Sequence, residues 1–389
     1  MLGKIPVAGY PTSFLDIFES ILHREYSQDD FNKALKVFLS SRYLFLCSSG
    51  LGSLYLILKA IKNTSNKKEI VLPAYTTPSL ILPIRKLKLK PVLCDISLDD
   101  FNLDTEALAN SLSCTPLCVI YVYLFGIVSA GVEYLKRSFS DIFVIEDCAQ
   151  AFGSRLQGRT VGNFGDASIF SFARGKNLST YVGGCITTNN DKLAKDIGIE
   201  IKNLKEDNLL FKLLIRFELL ILSFAIRPYF YGLFYPLIYI FKDKVPHKDF
   251  KLRKYTDVQA SVGLSFLKRI EEFNKIRYDN GMKLIEGLRD IEYIILPKIS
   301  SEAEPAFNRF PIVFKDARMR ERVRQKLNKI GIEATGMYIR PIHHIYDLGY
   351  KKDEFPHAVY LAQRLLTLPV HPLVNQDTID RMIDILRSL

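Results

Sequence analysis

Tryptophan is absent from the 389-residue chain, and histidine and cysteine are scarce at six each. The cysteines, at positions 47, 94, 114, 118, 148 and 185, form no C-x-x-C pair. That removes the usual zinc and dithiol redox spacings, and no metal is expected. Most of the cysteines sit in apolar, strand-like runs, as buried thiols of a reducing compartment do. A secretory signal is lacking too: "MLGKIPVAGYPTSF" has no continuous apolar core, so the chain reads as cytoplasmic. Acidic residues are the minority charge, 42 against 53 Lys and Arg, which leaves a net charge of +11 and favours anionic partners. Those basic residues are dispersed and carry no zinc-finger spacing or RNA-recognition aromatic signature, so nucleic acid is not expected as a partner.

What is present is the composition of a folded globular protein, 48% hydrophobic and 24% charged. Short apolar runs at 43–47, 69–73, 90–95, 117–123, 142–147, 167–172 and 183–188 alternate with helical stretches, the clearest at 52–62, 78–88, 104–112 and 190–203. This alternation predicts an α/β fold: a large domain on a mostly parallel seven-stranded sheet. A smaller C-terminal α+β domain follows. The expected division is 1–245 for the large domain and 246–389 for the rest. The second part begins with a connecting helix over 256–290, then strands near 309–314 and 332–338 and helices over 317–330 and 377–388.

The segment 209–241, "LLFKLLIRFELLILSFAIRPYFYGLFYPLIYIF", is far more apolar than its surroundings. Arg227-Pro228 divides it into uncharged runs that fall short of the ~20 residues a spanning helix needs. Two readings stay open. One is a buried helical hairpin or subunit contact. The other is an interfacial contact with the inner face of a membrane, with Lys212, Arg216, Arg227, Lys242 and Lys244 near the headgroups.

Chemistry concentrates between 144 and 184. "VIED" places Asp147 at the carboxyl end of a strand, where open α/β sheets bind ligands. Further on, "SIFSFARGKNLSTYVGGC" runs from a strand into a loop carrying Ser171, Arg174 and Lys176. Pyridoxal phosphate (PLP) needs a lysine for its Schiff base, an acid against its pyridine nitrogen, and hydroxyl or backbone donors for its phosphate. Lys176, Asp147 and Ser171 supply these, together with the backbone of "SSG" at 48–50 ahead of a helix. Singly, each is a common feature, since a loop lysine is usually solvated and a strand-end acid often caps a helix. "GLGSLY" at 50–55 has Tyr55 where a dinucleotide fingerprint wants its third glycine, which argues against a nicotinamide enzyme.

Taken in order, "CSSGLGSLYLIL", "VLPAYTTPSLILPIRKLKLKPVLCDIS", "YVYLFG" and "VIEDCAQAFGSRLQGRTVGNFGDASIFSFARGKNLSTYVGGCITTNN" resemble the DegT/StrS family of fold-type I PLP enzymes. These are sugar aminotransferases of antibiotic and surface-polysaccharide pathways. The resemblance covers nearly the whole chain, through "PIHHIYDLGYKKDEF" to the C-terminal helix. It implies that Lys176 carries the cofactor, Asp147 faces its ring nitrogen, Gln150 lies beside the ring, and Ser171, Ser49 and Gly50 hold the phosphate. Tyr338 and His343 would lie near the substrate, while Arg174, Arg340 and Lys254 suit a diphosphate or a donor carboxylate. Three positions depart from the family pattern. Leu51 replaces a phosphate-binding threonine, with Ser48, Ser49 or Ser53 as the candidates to substitute for it. Thr77 replaces a ring-stacking aromatic, with Tyr75 two residues earlier. Leu252 replaces an asparagine that reaches across to the other subunit's phosphate, with Lys254 nearby.

The activity so implied is transfer of an amino group, from glutamate, to a keto-sugar linked to a nucleotide, carried out by a homodimer. Two alternatives share the fold. A dehydratase would have histidine in place of Lys176. A membrane-associated regulatory relative would have lost catalysis, in keeping with Leu51, Thr77 and Leu252 but not with Asp147, Ser171 and Lys176.

Overall fold

The seven apolar runs become strands β1 (Tyr43–Cys47), β2 (Glu69–Pro73), β3 (Lys90–Cys94), β4 (Cys118–Val122), β5 (Phe143–Asp147), β6 (Ala167–Ser171) and β7 (Gly184–Thr188). They are seen in a computed structural model that describes residues 3–11, 17–18, 27–111, 116–205, 209–225, 227–241 and 249–388. Cys114, Lys242 and Lys244 lie outside the described residues. The other five cysteines are free and buried.

One sheet results, in the order β1-β7-β6-β5-β4-β2-β3. Strands β2 to β6 pair in parallel, and β7 runs antiparallel to both of its neighbours. Two successive reversals turn β1 back into the direction of β6, so the carboxyl ends of β1, β4, β5 and β6 all open on one edge. Parallel strands of this kind are covered on both faces and read as continuous apolar runs; all five residues of β4 are buried. Helices α1 (Gln28–Leu39), α2 (Gly50–Lys62), α3 (Ile81–Lys86), α4 (Thr105–Ser111), α5 (Gly131–Ser138) and α6 (Asp191–Lys202) flank the sheet. The helix expected over 78–88 is shorter, a 3-10 turn at Pro78–Leu80 leading into α3.

The apolar segment forms two helices, α7 (Leu209–Ala225) and α8 (Pro228–Phe241), with Pro228 at the start of α8, where its missing N–H costs nothing. The reading of a wholly buried hairpin is corrected. Ile215, Leu219 and Tyr231 are buried, the Tyr231 hydroxyl donates to Glu333 at 2.8 Å, and the Lys4 N–H donates to Pro228 O at 2.8 Å. The opposite side is exposed. No described helix is long and apolar enough to cross a membrane.

The single helix expected over 256–290 is two, α9 (Asp257–Leu267) and α10 (Ile270–Leu288). The break falls at Arg269, whose φ of −111° and ψ of 3° leave the helical region. It lets the buried α9 lie against α1, where Gly263 approaches the Phe31 ring so closely that a Cβ would sit 2.5 Å from it.

A second, antiparallel sheet contains β8 (Ile294–Ile295), β9 (Phe310–Phe314) and β10 (Leu365–Leu368) in the order β8-β9-β10. Around it lie α11 (Ala317–Lys329), α12 (Pro356–Arg364) and α13 (Gln376–Arg387). The strand expected near 332–338 does not form. Ile332 and Thr335 make only lone bridges, to Ile5 and Thr367. Met337, at φ 50°, bends the chain out of extended conformation, and β10 takes the place beside β9.

Candidate active site

The edge where β1, β4, β5 and β6 end encloses a cavity of about 490 Å³. Its wall brings together Ser49 and Gly50 from the β1–α2 turn, Asp147 and Gln150 from the end of β5, and Ser171, Arg174 and Lys176 from the loop after β6. Lys254 and Tyr338 reach it from the second half of the chain. Three other residues singled out in the sequence do not line it. Tyr75 is fully buried, edge-on to Tyr338 at 5.8 Å between ring centroids. Arg340 is exposed. His343 packs edge-on against His344 and Phe355, with Nε2 3.4 Å from Lys352 O.

The Lys176 loop is a tight turn in which the Lys176 N–H donates to Ala173 O at 3.2 Å, and Gly175 adopts φ 76°, a conformation that suits glycine. The adjoining Asn177 is buried, and its amide donates to Ala306 O at 2.5 Å. The Lys176 side chain opens onto the cavity while its amine is enclosed by protein. Burial pulls the amine pKa down to about 8, Arg309 pushes the same way, and Asp147 opposes both.

Asp147 and its neighbour Glu146 are both buried but do different work. Glu146 points into the protein and accepts N–H groups from Gly162, Phe164 and Gly165 at 2.7–2.9 Å and the Tyr123 hydroxyl at 3.0 Å. It ties down the turn before β6. Asp147 accepts from Ala149 N–H at 2.9 Å and faces the cavity. Burial raises its pKa, against the Ala149 hydrogen bond and the Lys176 cation, which favour the carboxylate. Gln150 is held at both ends: its Oε1 accepts from Phe125 N–H at 3.0 Å, and its Nε2 donates to the Tyr338 hydroxyl at 3.4 Å.

The start of α2 forms the opposite end of the site. Ser49 caps the helix by accepting from Gly52 N–H at 3.0 Å, and the N–H groups of its first turn precede the intrahelical ladder. Close packing brings this turn onto β6. A Cβ on Gly184 would lie 2.5 Å from Phe170 O and 2.7 Å from Gly50 N, and one on Gly50 would lie 3.2 Å from Ser171 Cβ. The glycine pair therefore sets the approach of helix terminus to serine hydroxyl that an anionic group requires.

The site also contains residues that the sequence reading passed over. Ser48 Oγ donates to Lys251 O at 2.9 Å and accepts from Arg253 N–H at 3.2 Å, which brings Lys251 and Arg253 into the cavity wall. Phe211, from the hairpin, is in the wall as well. Nothing local in the sequence marks these three, because tertiary contacts bring them there.

The sequence profile of the DegT/DnrJ/EryC1/StrS aminotransferase family matches residues 18–204 and 247–387. The chain belongs to this family. Its profile leaves out the stretch that holds the hairpin. Among relatives, the spore coat polysaccharide biosynthesis protein SpsC of Bacillus subtilis is 25% identical, covering 92% of this chain and 88% of its own. The dTDP-3-amino-3,6-dideoxy-alpha-D-galactopyranose transaminase of Aneurinibacillus thermoaerophilus is 23% identical over the same shares. The aminotransferase TlmJ from Streptoalloteichus hindustanus has the same fold, with a TM-score of 0.79 at 19% identity and 99% and 98% of the two chains covered. This DegT-family chain is a PLP-dependent sugar aminotransferase. Its residues fit the cofactor: an amine with a lowered pKa and a buried carboxylate face one cavity, and a helix terminus packed onto a serine stands at its far end.

Proposed function

We propose that this aminotransferase moves an amino group from glutamate to the keto group of a nucleotide-linked sugar in surface-polysaccharide biosynthesis. It works as a homodimer and touches a membrane peripherally through its hairpin. The observation that carries the catalytic reading is the shared enclosure of Lys176 and Asp147, with the amine held near pKa 8.

Bound PLP supplies an electron sink for a carbanion at the substrate carbon. Lys176 would anchor it and, as a free amine, would take the proton from the substrate carbon and return it on the other side of the transfer. An amine that titrates near neutrality does both. Asp147 would keep a proton on the ring nitrogen, and Gln150, fixed by Phe125 and Tyr338, would help hold the ring. Ser171, Ser49 and the first turn of α2 would bind the phosphate. Arg174, Arg253 and Lys254, all in the cavity wall, suit the substrate's diphosphate or the donor's carboxylate.

An absorbance spectrum tests this. The protein with PLP should show a visible band that is absent in Lys176→Ala, is bleached by glutamate, and returns on addition of a nucleotide-linked keto-sugar. A colourless protein, or a band indifferent to glutamate, would sink the catalytic reading. Sedimentation as a monomer alone would sink the homodimer.

A further inference from the structure

One side of the hairpin remains in solvent among the described residues. On α7 the exposed side chains are Leu210, Leu213, Leu214, Phe217, Ile221 and Phe224. Their steps of three and four residues make a single stripe along the helix. Tyr229, Leu233 and Phe234 extend it onto α8. Leu210, Phe217 and Leu233 are each at least 60% exposed. Single exposed apolar side chains are ordinary, but a band of this size marks a contact surface.

The charge around the band narrows what it contacts. None of these nine side chains is charged, and Glu218 is the one acid in 209–241. At the border of the stripe, its carboxylate is engaged by the Tyr181 hydroxyl. Arg227 is exposed and Arg216 half-buried within the hairpin. At its base, Arg253 lies 4.7 Å over the Phe211 ring, with Lys251 and Lys254 close by in the sequence. Asp249, two residues before Lys251, pairs with Lys86 at 3.3 Å. A second copy of the chain would bring identical cations, and a further +11, against this surface. An anionic bilayer complements both the apolar stripe and its basic border.

We propose that this side of the hairpin docks in the plane of an anionic lipid bilayer and seats the mouth of the active-site cavity at headgroup level. Phe211 links the two, since α7 carries both the stripe and this residue of the cavity wall. The inference specifies the membrane contact proposed above. It relies on the aminotransferase reading only for what the cavity does.

The missing tryptophan makes the test clean. Phe217→Trp and Leu233→Trp each place a single reporter in the full-length holoenzyme. With phosphatidylcholine–phosphatidylglycerol vesicles, the protein should float with the lipid, the emission should move to the blue, and brominated acyl chains should quench it. Phosphatidylcholine alone should bind about tenfold more weakly, and Arg227→Gln should weaken binding to the anionic vesicles about fivefold. Combined Leu213→Ser, Phe217→Ser and Leu233→Ser should release the protein. Wild-type protein left in the supernatant would overturn the proposal. So would an emission already blue without lipid that shifts to the red on dilution, because a second copy would then cover the stripe. Bleaching by glutamate, measured without vesicles, judges the aminotransferase reading separately.

Discussion

Asn308 brackets Lys176 through Asn177: its Nδ2 donates to Gly175 O at 2.8 Å and to Asn177 Oδ1 at 3.0 Å. The Asn308 N–H donates in turn to Phe125 O at 2.9 Å, and the Phe125 N–H donates to Gln150. One buried amide, just ahead of β9, therefore ties the Lys176 turn to the loop that positions Gln150.

Replacing Asn308 by Leu should leave a buried carbonyl and a buried amide without their donor, at a cost of about 1–3 kcal/mol each. We expect a lower melting temperature, faster release of PLP, and a fall in kcat larger than the change in KM for glutamate. Thermal melts and cofactor-release kinetics check this. A variant that melts lower but releases PLP at the wild-type rate would show the clamp to be structural only.

As the proposed anchor of PLP, the Lys176 amine would capture the aldehyde only when neutral. The rate of PLP uptake by the apo-protein should therefore rise with pH through a midpoint near 8 instead of the ordinary lysine value of 10.5. The charged groups that act on it make opposite predictions. Arg309→Gln should move the midpoint up, because Arg309 disfavours the ammonium, and Asp147→Asn should move it down, because Asp147 favours it. Shifts in the same direction for both variants would contradict this account.

His371 links stability to acid. It is fully buried, with Nε2 2.7 Å from Pro6 O, and burial together with Arg277 pushes its pKa down to about 3. Below about pH 6.5 the unfolded chain takes up a proton that the folded one refuses. Stability should therefore fall as pH drops from there towards 3, by up to about 1.4 kcal/mol per pH unit. Urea titrations of wild type and His371→Gln between about pH 5 and 7 check the sign, and the acid-side loss should be smaller in the variant.

The main sheet was legible because its strands are buried on both faces, so runs such as "CVIYV" and "FVIED" stand out without any alternation to decode. The second sheet was harder. "LLTL" follows α12 with no turn residue between them, and only pairing with β9 makes it a strand. The break at Arg269 has no Gly or Pro to announce it. At the site, Asp147, Ser171 and Lys176 were readable because they lie on consecutive connections at one sheet edge. Phe211, Arg253 and Asn308 were not, since each reaches the cavity or its lysine from a distant part of the chain. Arg340 and His343 sit close to Tyr338 in sequence, but the bend at Met337 carries only Tyr338 to the cavity wall.

The double reversal in the sheet has a consequence for how the protein is made. Among the described residues strand β1 pairs only with β7, through contacts such as Cys47 with Gly184, and Ser49 bridges Gly183. During synthesis β1 waits unpaired while the five intervening strands emerge, and closing so long a loop is slow. The Ser49 cap is local, but the approach of the α2 terminus to Ser171 waits for that pairing. The bracket on Lys176 comes later still, with Asn308. Cofactor capture is therefore expected late in the life of each chain, and a ribosome-stalled or truncated product ending before β9 should remain colourless in PLP.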